Sequence, residues 1–184
     1  MELTRHLCVF VLATLPVAAQ VGTRERLHDY GMGLVGVQAW LGSAAGAGIG
    51  LWNDSPEEWD QGAKGFGQRF GSRFAQNIAK QTIQLPLAAA LREDLRYHPV
   101  RTGSAGSRIW HAIKYSFIVP RSDGRGNTFA FARVGSNLGA GLVSRTWQPP
   151  SNSGIGDGFE SGAITLGGDV GINIVREFWR GRKK

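Results

Sequence analysis

Three glycines, Gly31, Gly33 and Gly36, give "GMGLVG" the G-x-G-x-x-G spacing that lets a backbone approach a dinucleotide pyrophosphate. That chemistry needs a strand immediately ahead of the glycines and a βαβ unit around them. What precedes them is "RERLHDY", with four formal charges in seven residues and no strand pattern. The three histidines beyond the N-terminal segment, His28, His98 and His111, form no H-E-x-x-H and no i, i+4 pair, so no zinc site is expected. No G-x-S-x-G elbow is present for a serine hydrolase. Asp123 in "SDGRGN" opens like a calcium loop but lacks the further acids and the closing glutamate, so turn chemistry explains it better. Cys8 is the single cysteine, which leaves thiol catalysis and thiolate-metal ligation without residues after it. No catalytic residue, metal or cofactor is therefore expected.

Two groups of polar residues remain as candidates for binding. "ALREDLRYH" (90–98) crowds Arg96 and Tyr97 with acids near a helix end, "VPRSDGRGN" (119–127) offers Arg121 and Asp123, and "VREFW" offers Glu177. If Arg96, Tyr97, Arg121, Asp123 and Glu177 line one concavity, they make a small-ligand or enzyme site; scattered, they are ion pairs and helix caps. A third stretch, "GFGQRFGSRFAQNIAK", sets Phe66, Phe70, Phe74 and Ile78 in one helical stripe with Arg69, Arg73 and Lys80 beside it. Read as a membrane-surface helix, Phe66, Phe70 and Phe74 anchor while Arg69 and Arg73 meet headgroups. Read as an ordinary amphipathic helix, the phenylalanines are core.

Charge is segregated. Residues 64–145 carry thirteen Lys and Arg against three acids, residues 20–60 are acidic, and the last nine residues are basic again. Nucleic acid is not the expected partner of an exported chain. An anionic membrane surface or acidic envelope polymer is.

The elements that must position these residues are helical. Residues 1–19 have the pattern of a signal peptide: Arg5, the apolar run "LCVFVLATL", and small residues at Val17 and Ala19, with cleavage expected before Gln20. Residues 20–184 then read as a single helical domain with a basic C-terminal tail. Helices are expected over about 26–52, 56–95, 105–118, 128–146 and 158–181. Ser55, Pro56 and Glu58 suggest a capping box starting the second, and breaks are expected near Gly65–Gly67 and Leu85–Pro86. The uncharged stretch 30–53 is long enough to cross a bilayer or to lie buried in the bundle.

Small residues recur every four positions at Gly42, Gly46 and Gly50; at Gly67, Gly71, Ala75 and Ala79; at Ala132, Ser136, Ala140 and Ser144; and at Ala163, Gly167 and Gly171. On a helix each set shares a face and lets two backbones approach closely, the small-xxx-small device, within one chain or between copies of it. The fold class expected is thus all-α, a small glycine-rich bundle. The alternative is an outer-membrane β-barrel, because "AITLGGDVGINIV" also alternates with period two; against it, eight strands with tight turns are not found.

The blocks "DQGAKGFGQRFGSRFA", "ALREDLRYH", "VPRSDGRGNTFAFARVGSNLGAGLVSRTWQPP" and "VREFW" resemble an uncharacterised family of small exported bacterial cell-envelope proteins, over residues 55–181. Arg96 and Tyr97 match that family's "DPRYF" block, with Leu95 in place of its proline. Arg121, Asp123 and Arg125 match "TRTDSGR" at shortened spacing, and Glu177, Phe178 and Trp179 match "EFW". The resemblance implies export and a small-residue helical fold, and brings no activity with it. The expected role is structural or interactive, in the periplasm or outer envelope, in association with a membrane.

Overall fold

The computed structural model describes residues 20–100 and 102–179, and the expected signal peptide lies outside them. The chain is all-α. Helices α1 (Gln20–Val35), α2 (Val37–Trp52), α3 (Gly62–Leu91), α4 (Ala105–Phe117), α5 (Phe131–Ser144) and α6 (Ile155–Phe178) are joined by loops and one short hairpin. The hairpin pairs β1 (Ile118–Pro120) with β2 (Asn127–Phe129) in antiparallel register, Val119 opposite Thr128. Among the described residues this is the one sheet, so the barrel alternative has no support. The "AITLGGDVGINIV" alternation lies wholly inside α6.

Helix α3 packs between α2 and α5; α5 packs in turn on α6, and α4 on α6. Chain direction alternates. The end of α2, the start of α3, the end of α5 and the start of α6 share one end of the bundle, where Glu58 accepts from Ser151 N–H at 3.0 Å. The end of α3, the start of α5 and the end of α6 share the other. There Glu93 accepts from Ala132 N–H at 3.0 Å, and Glu177 accepts from Val100 N–H at 3.2 Å.

Two expected boundaries move. No helix begins at Pro56: residues 53–61 form a loop with a cis Ser55–Pro56 bond, and α3 starts at Gly62. Nor does α3 break at Gly65–Gly67 or at Leu85–Pro86. Proline removes one backbone donor, yet the helix continues through Pro86 to Leu91 and closes on Arg92 in the left-handed region. Arg92 N–H bonds Ala89 O and Glu93 N–H bonds Ala88 O, the paired closure that satisfies the last free carbonyls. The residues expected as loop at 119–127 supply the hairpin, and Gly124 and Gly126 take its positive φ angles.

The small-residue faces divide. Ala132, Ser136, Ala140 and Ser144 are buried, as a packing face requires. The glycines do not follow. A methyl group placed on Gly42, Gly67, Gly71, Gly167 or Gly171 meets nothing within 4 Å, so within one chain these are not packing positions. Gly46 faces the Arg73 side chain, and a Cβ on Gly50 would stand 3.0 Å from Ser55 O in the following loop and 3.2 Å from the Arg69 side chain, so neither packs against a second helix backbone. The close crossing lies elsewhere, between α5 and α6. A Cβ on Gly141 would stand 2.1 Å from Gly158 O, and one on Gly162 would stand 2.8 Å from Asn137 O. The device operates, but one helix face away from the glycine runs that suggested it.

Gly162→Ala should therefore cost about 1–3 kcal/mol through overpacking. Gly167→Ala should be neutral or stabilise by about 0.5–1 kcal/mol, because an open helical glycine gains propensity and loses unfolded-state entropy. Thermal unfolding followed by circular dichroism checks both, and equal effects at the two sites would contradict the α5–α6 crossing.

Candidate functional site

A helix of this bundle presents one stripe inward, and the stripe on α6 recurs every four residues: Ser161, Thr165, Asp169, Asn173 and Glu177. On α3 the matching stripe is Ser72, Gln76, Lys80 and Gln84. The two meet rung by rung. Gln76 Nε2 donates to Thr165 Oγ1 at 3.3 Å, and Ser161 Oγ donates to Gln76 Oε1 at 3.2 Å. Lys80 Nζ lies 2.6 and 2.7 Å from the two carboxylate oxygens of Asp169. Asn137 of α5 completes this rung, donating to Asp169 Oδ2 at 2.9 Å. Farther along, Asn173 donates to Ser116 Oγ of α4 at 2.9 Å. Lys80 is 6% exposed and Asn137 fully enclosed, while the Asp169 side chain keeps 21% exposure, so the pair is buried on its ammonium side and partly open at its carboxylate.

Two further charges close the interior. Arg133 is 6% exposed and gives its guanidinium to main-chain carbonyls: Ser116 O at 2.5 Å, Leu95 O at 2.8 Å and Tyr115 O at 3.4 Å. It thereby ties α4 and the segment after α3 to α5. Glu93, 2% exposed, places Oε2 on the first N–H groups of α5, where a carboxylate complements the helix dipole. Its Oε1 is buried without a partner. Burial, ahead of those hydrogen bonds, raises the Glu93 pKa above the ordinary carboxylate range.

The five residues expected to converge fall into three places. Tyr97 and Glu177 do meet. One oxygen of the fully enclosed Glu177 accepts from the Tyr97 hydroxyl, from His111 Nδ1 at 2.8 Å and from Val100 N–H at 3.2 Å. Arg108 stands 3.7 Å from the other Glu177 oxygen and lies 4.2 Å over the Phe178 ring. Arg96 instead reaches α1, donating to Asp29 at 2.8 Å. Arg121 and Asp123 form a two-pronged pair inside the hairpin loop at 3.1 and 2.9 Å, with Arg92 3.6 Å away. The Arg121 hydrogen bond, first of all, holds the Asp123 carboxyl well below its usual range. The five do not share one concavity: Arg96 and Tyr97 line one cleft, and Arg121 with Asp123 lie apart in the hairpin loop. Among the described residues no group of three or more His, Cys, Asp or Glu is placed to hold a metal.

The membrane-surface assignment of the α3 arginines is also corrected. Arg69 is 2% exposed and donates to the carbonyls of Ser55, Pro56 and Asp60, each at 2.9 Å. It holds the loop between α2 and α3 from within. Arg73 turns inward to Gln76 and Ser161, at 3.3 Å each. The phenylalanines are on the outside, with Phe66 36% exposed, and Trp40 of α2 covers Phe70 and Phe74 at ring separations of 5.6 and 5.2 Å.

Beside the Lys80–Asp169 rung opens a cleft of about 870 Å³. Its floor is buried and ionic: Lys80, Glu93, Arg133 and Asn173. Its rim is exposed: Asp29, Met32, Val37 and Arg96. Arg96 and Tyr97 are the two sequence candidates that line it. Lys80, Arg133, Asp169 and Asn137 were not singled out as a site, although the four-residue spacing of the polar residues on the third and last helices carried the signal. A scan against protein-family models finds no match to this chain, and neither does comparison with curated proteins or with solved structures.

Two predictions test this interior. Lys80→Met leaves Asp169, 21% exposed, without its cation and should cost about 1–3 kcal/mol, less than a fully buried pair would. Lys80→Met with Asp169→Leu should cost clearly less than the two single changes together, as a double-mutant cycle in chemical unfolding measures. The Tyr97 phenol is pushed above its ordinary value by burial and then by its bond to Glu177. A proton held more tightly in the folded state contributes stability at neutral pH that is lost as pH rises above about 10, where the unfolded tyrosine ionises first. Stability should fall on that alkaline limb, and Tyr97→Phe should flatten the fall.

Proposed function

We propose that the chain is an integral membrane component of the cell envelope with a structural or interaction role. In this reading its apolar exterior lies in lipid and its charged interior is sealed between helices. One observation carries the reading: burial is inverted. Among the described residues, the buried hydrophobic side chains are alanines apart from Val119, and the largest fully enclosed side chains are Gln76, Glu93 and Glu177. Outside stand Trp40, Leu41, Ile49, Trp52, Ile78, Ile164 and Val175, between 41% and 90% exposed. In water that arrangement forfeits most of the hydrophobic gain that holds a domain together. In lipid it is the low-energy one, because apolar side chains meet apolar tails and polar groups pair within the bundle.

The helices agree. Leu27–Trp52 is a 26-residue helical stretch long and apolar enough to cross a membrane. Helices α3 and α6 have the length, and the charges midway along them, Arg69, Arg73, Lys80 and Asp169, point inward. Exposed charge gathers toward the two ends of the bundle. Asp54, Glu57, Glu58 and Asp60, with Lys64 and Glu160 near the starts of α3 and α6, mark one end; Arg92, Arg125 and Lys114 near the end of α4 mark the other. That basic end, in place of Arg69 and Arg73, suits an anionic headgroup layer, at about 1 kcal/mol for each base near the surface. The signal pattern and the family resemblance support an exported location.

Aspartate substitution at exposed apolar sites tests the reading. Leu41→Asp and Ile78→Asp should each cost about 2.5–3.5 kcal/mol if these positions face lipid. On a water-exposed surface the same changes should stay within about 0.5 kcal/mol. The unaltered protein should remain in the membrane pellet after a carbonate wash. Release into the wash, with both aspartate variants unaffected, would overturn the proposal.

A further inference from the structure

The cleft beside Lys80 pairs two surfaces of opposite character. Its floor holds three cations, Lys80, Arg133 and Arg176, beneath an exposed rim. Lys80 is met by Asp169. Arg133 donates to main-chain carbonyls, and Arg176 donates to Gln38 Oε1 at 2.7 Å and to Asn173 Oδ1 at 3.4 Å. Among the described residues neither guanidinium has an acid within ion-pair distance, while Asp169 attracts both and Glu93 attracts Arg133 from farther off. The floor thus sets three cations against two acids, Asp169 and Glu93, and elsewhere on the lining Arg96 faces Asp29 and Asp94.

Glu93 is the second acid on that floor, beside Asp169. Its Oε2 is committed to the N-terminus of α5, and its Oε1 is enclosed with no hydrogen-bond partner. Above the floor the wall is apolar: Met32, Val37, Leu85 and Ile172. A volume of about 870 Å³ lies within the range of small-molecule sites.

We propose that this cleft binds an anionic amphiphile, a carboxylate or phosphate headgroup on an apolar tail. The headgroup sits at Arg133, Arg176 and Lys80, and the tail lies along Met32, Val37 and Leu85. The tail half of the inference rests on the membrane reading above, since a rim facing lipid is what brings a tail to the cleft. The headgroup half rests on Arg133 and Arg176, two guanidinium groups on the cleft floor without a carboxylate at ion-pair distance.

The test uses the full chain in nanodiscs of a neutral phospholipid, titrated with spin-labelled stearate. The methyl ester serves as the tail without charge, and acetate and inorganic phosphate serve as the headgroup without tail. Stearate should bind saturably at one site and the ester should not compete for it. Acetate and phosphate should bind at least about 10-fold more weakly than stearate. Arg176→Gln should weaken stearate by about 10-fold or more, the scale of a lost charge-assisted hydrogen bond. Leu85→Trp keeps every cation and narrows the apolar wall, so it should weaken stearate too, which keeps the proposal testable if the arginine variant does not fold. Equal binding of stearate and its ester overturns the proposal. So does unchanged affinity in a folded Arg176→Gln or Leu85→Trp protein, or acetate or phosphate alone binding as tightly as stearate. The two readings fail separately. A protein held in the membrane pellet that binds no stearate refutes this site alone, and a carbonate-released protein that binds stearate refutes the membrane reading alone.

Discussion

The contact on which the architecture depends is the rung made by Lys80, Asp169 and Asn137. Three helices, α3, α6 and α5, each contribute one side chain, and the charges balance within the rung. A buried ammonium without its carboxylate would cost several kcal/mol. The carboxylate, 21% exposed beside the cleft, also accepts from the amide of Asn137, which ties α5 into the rung. The rungs on either side extend the same logic with weaker partners. Gln76 meets Ser161 and Thr165 toward the loop that joins α2 and α3, and Asn173 meets Ser116 toward the hairpin. Glu177 and Glu93 then anchor the two connecting segments, one from the end of α6 and the other at the start of α5.

Polar rungs and small residues are two parts of one packing solution. A hydrogen bond between side chains as short as serine and asparagine requires the helix axes to be close. Gly141, Gly158 and Gly162 make them so at the α5–α6 crossing, and Ala132, Ser136, Ala140 and Ser144 extend the contact along α5. Apart from Val119, the bulky apolar side chains of the described residues stay half-buried or exposed, and Phe66, Phe70 and Phe74 stack along α3 beside Trp40. Without a hydrophobic driving force between helices, close packing and hydrogen bonds are what remain to hold a bundle in lipid.

Much of the fold was legible in the sequence because periodicity and turn residues report local structure. Helix centres, the loop from 147 and the buried Ala132–Ser144 face followed from spacing alone. Which face turns inward was harder to read. The Phe66–Phe74 stripe and the Arg69–Lys80 stripe share one helix, and the rule that apolar residues go inside presupposes water outside. With that presupposition lifted, Ser72, Gln76 and Lys80 become the interior and the phenylalanines the exterior. The glycine runs misled for a related reason. Gly42 and Gly167 have the right spacing for close approach, but spacing is satisfied on any face, and contact depends on where a partner helix lies. Tyr97 with Glu177 was half visible, since both were candidates. His111, which joins them, stood isolated in the sequence, as a residue paired across 66 positions must.

The ladder also specifies register. Helix α6 offers a polar group at every fourth position, so sliding it one turn along α3 leaves hydrogen-bonding groups facing each other. The new pairs are not equivalent. A slip in one direction sets Asp169 against Gln76 and Asn173 against Lys80; a slip in the other sets Asp169 against Gln84 and Thr165 against Lys80. Either way an ammonium and a carboxylate are each left against a neutral partner, while the uncharged rungs lose little. A ladder of serine, threonine and glutamine alone would tolerate those slips. One charged rung makes them costly, as single buried polar residues do in coiled coils. The same rung borders the cleft, so the pair that fixes helix register also fixes the position of Arg133 and Arg176 one turn away on α5 and two turns away on α6.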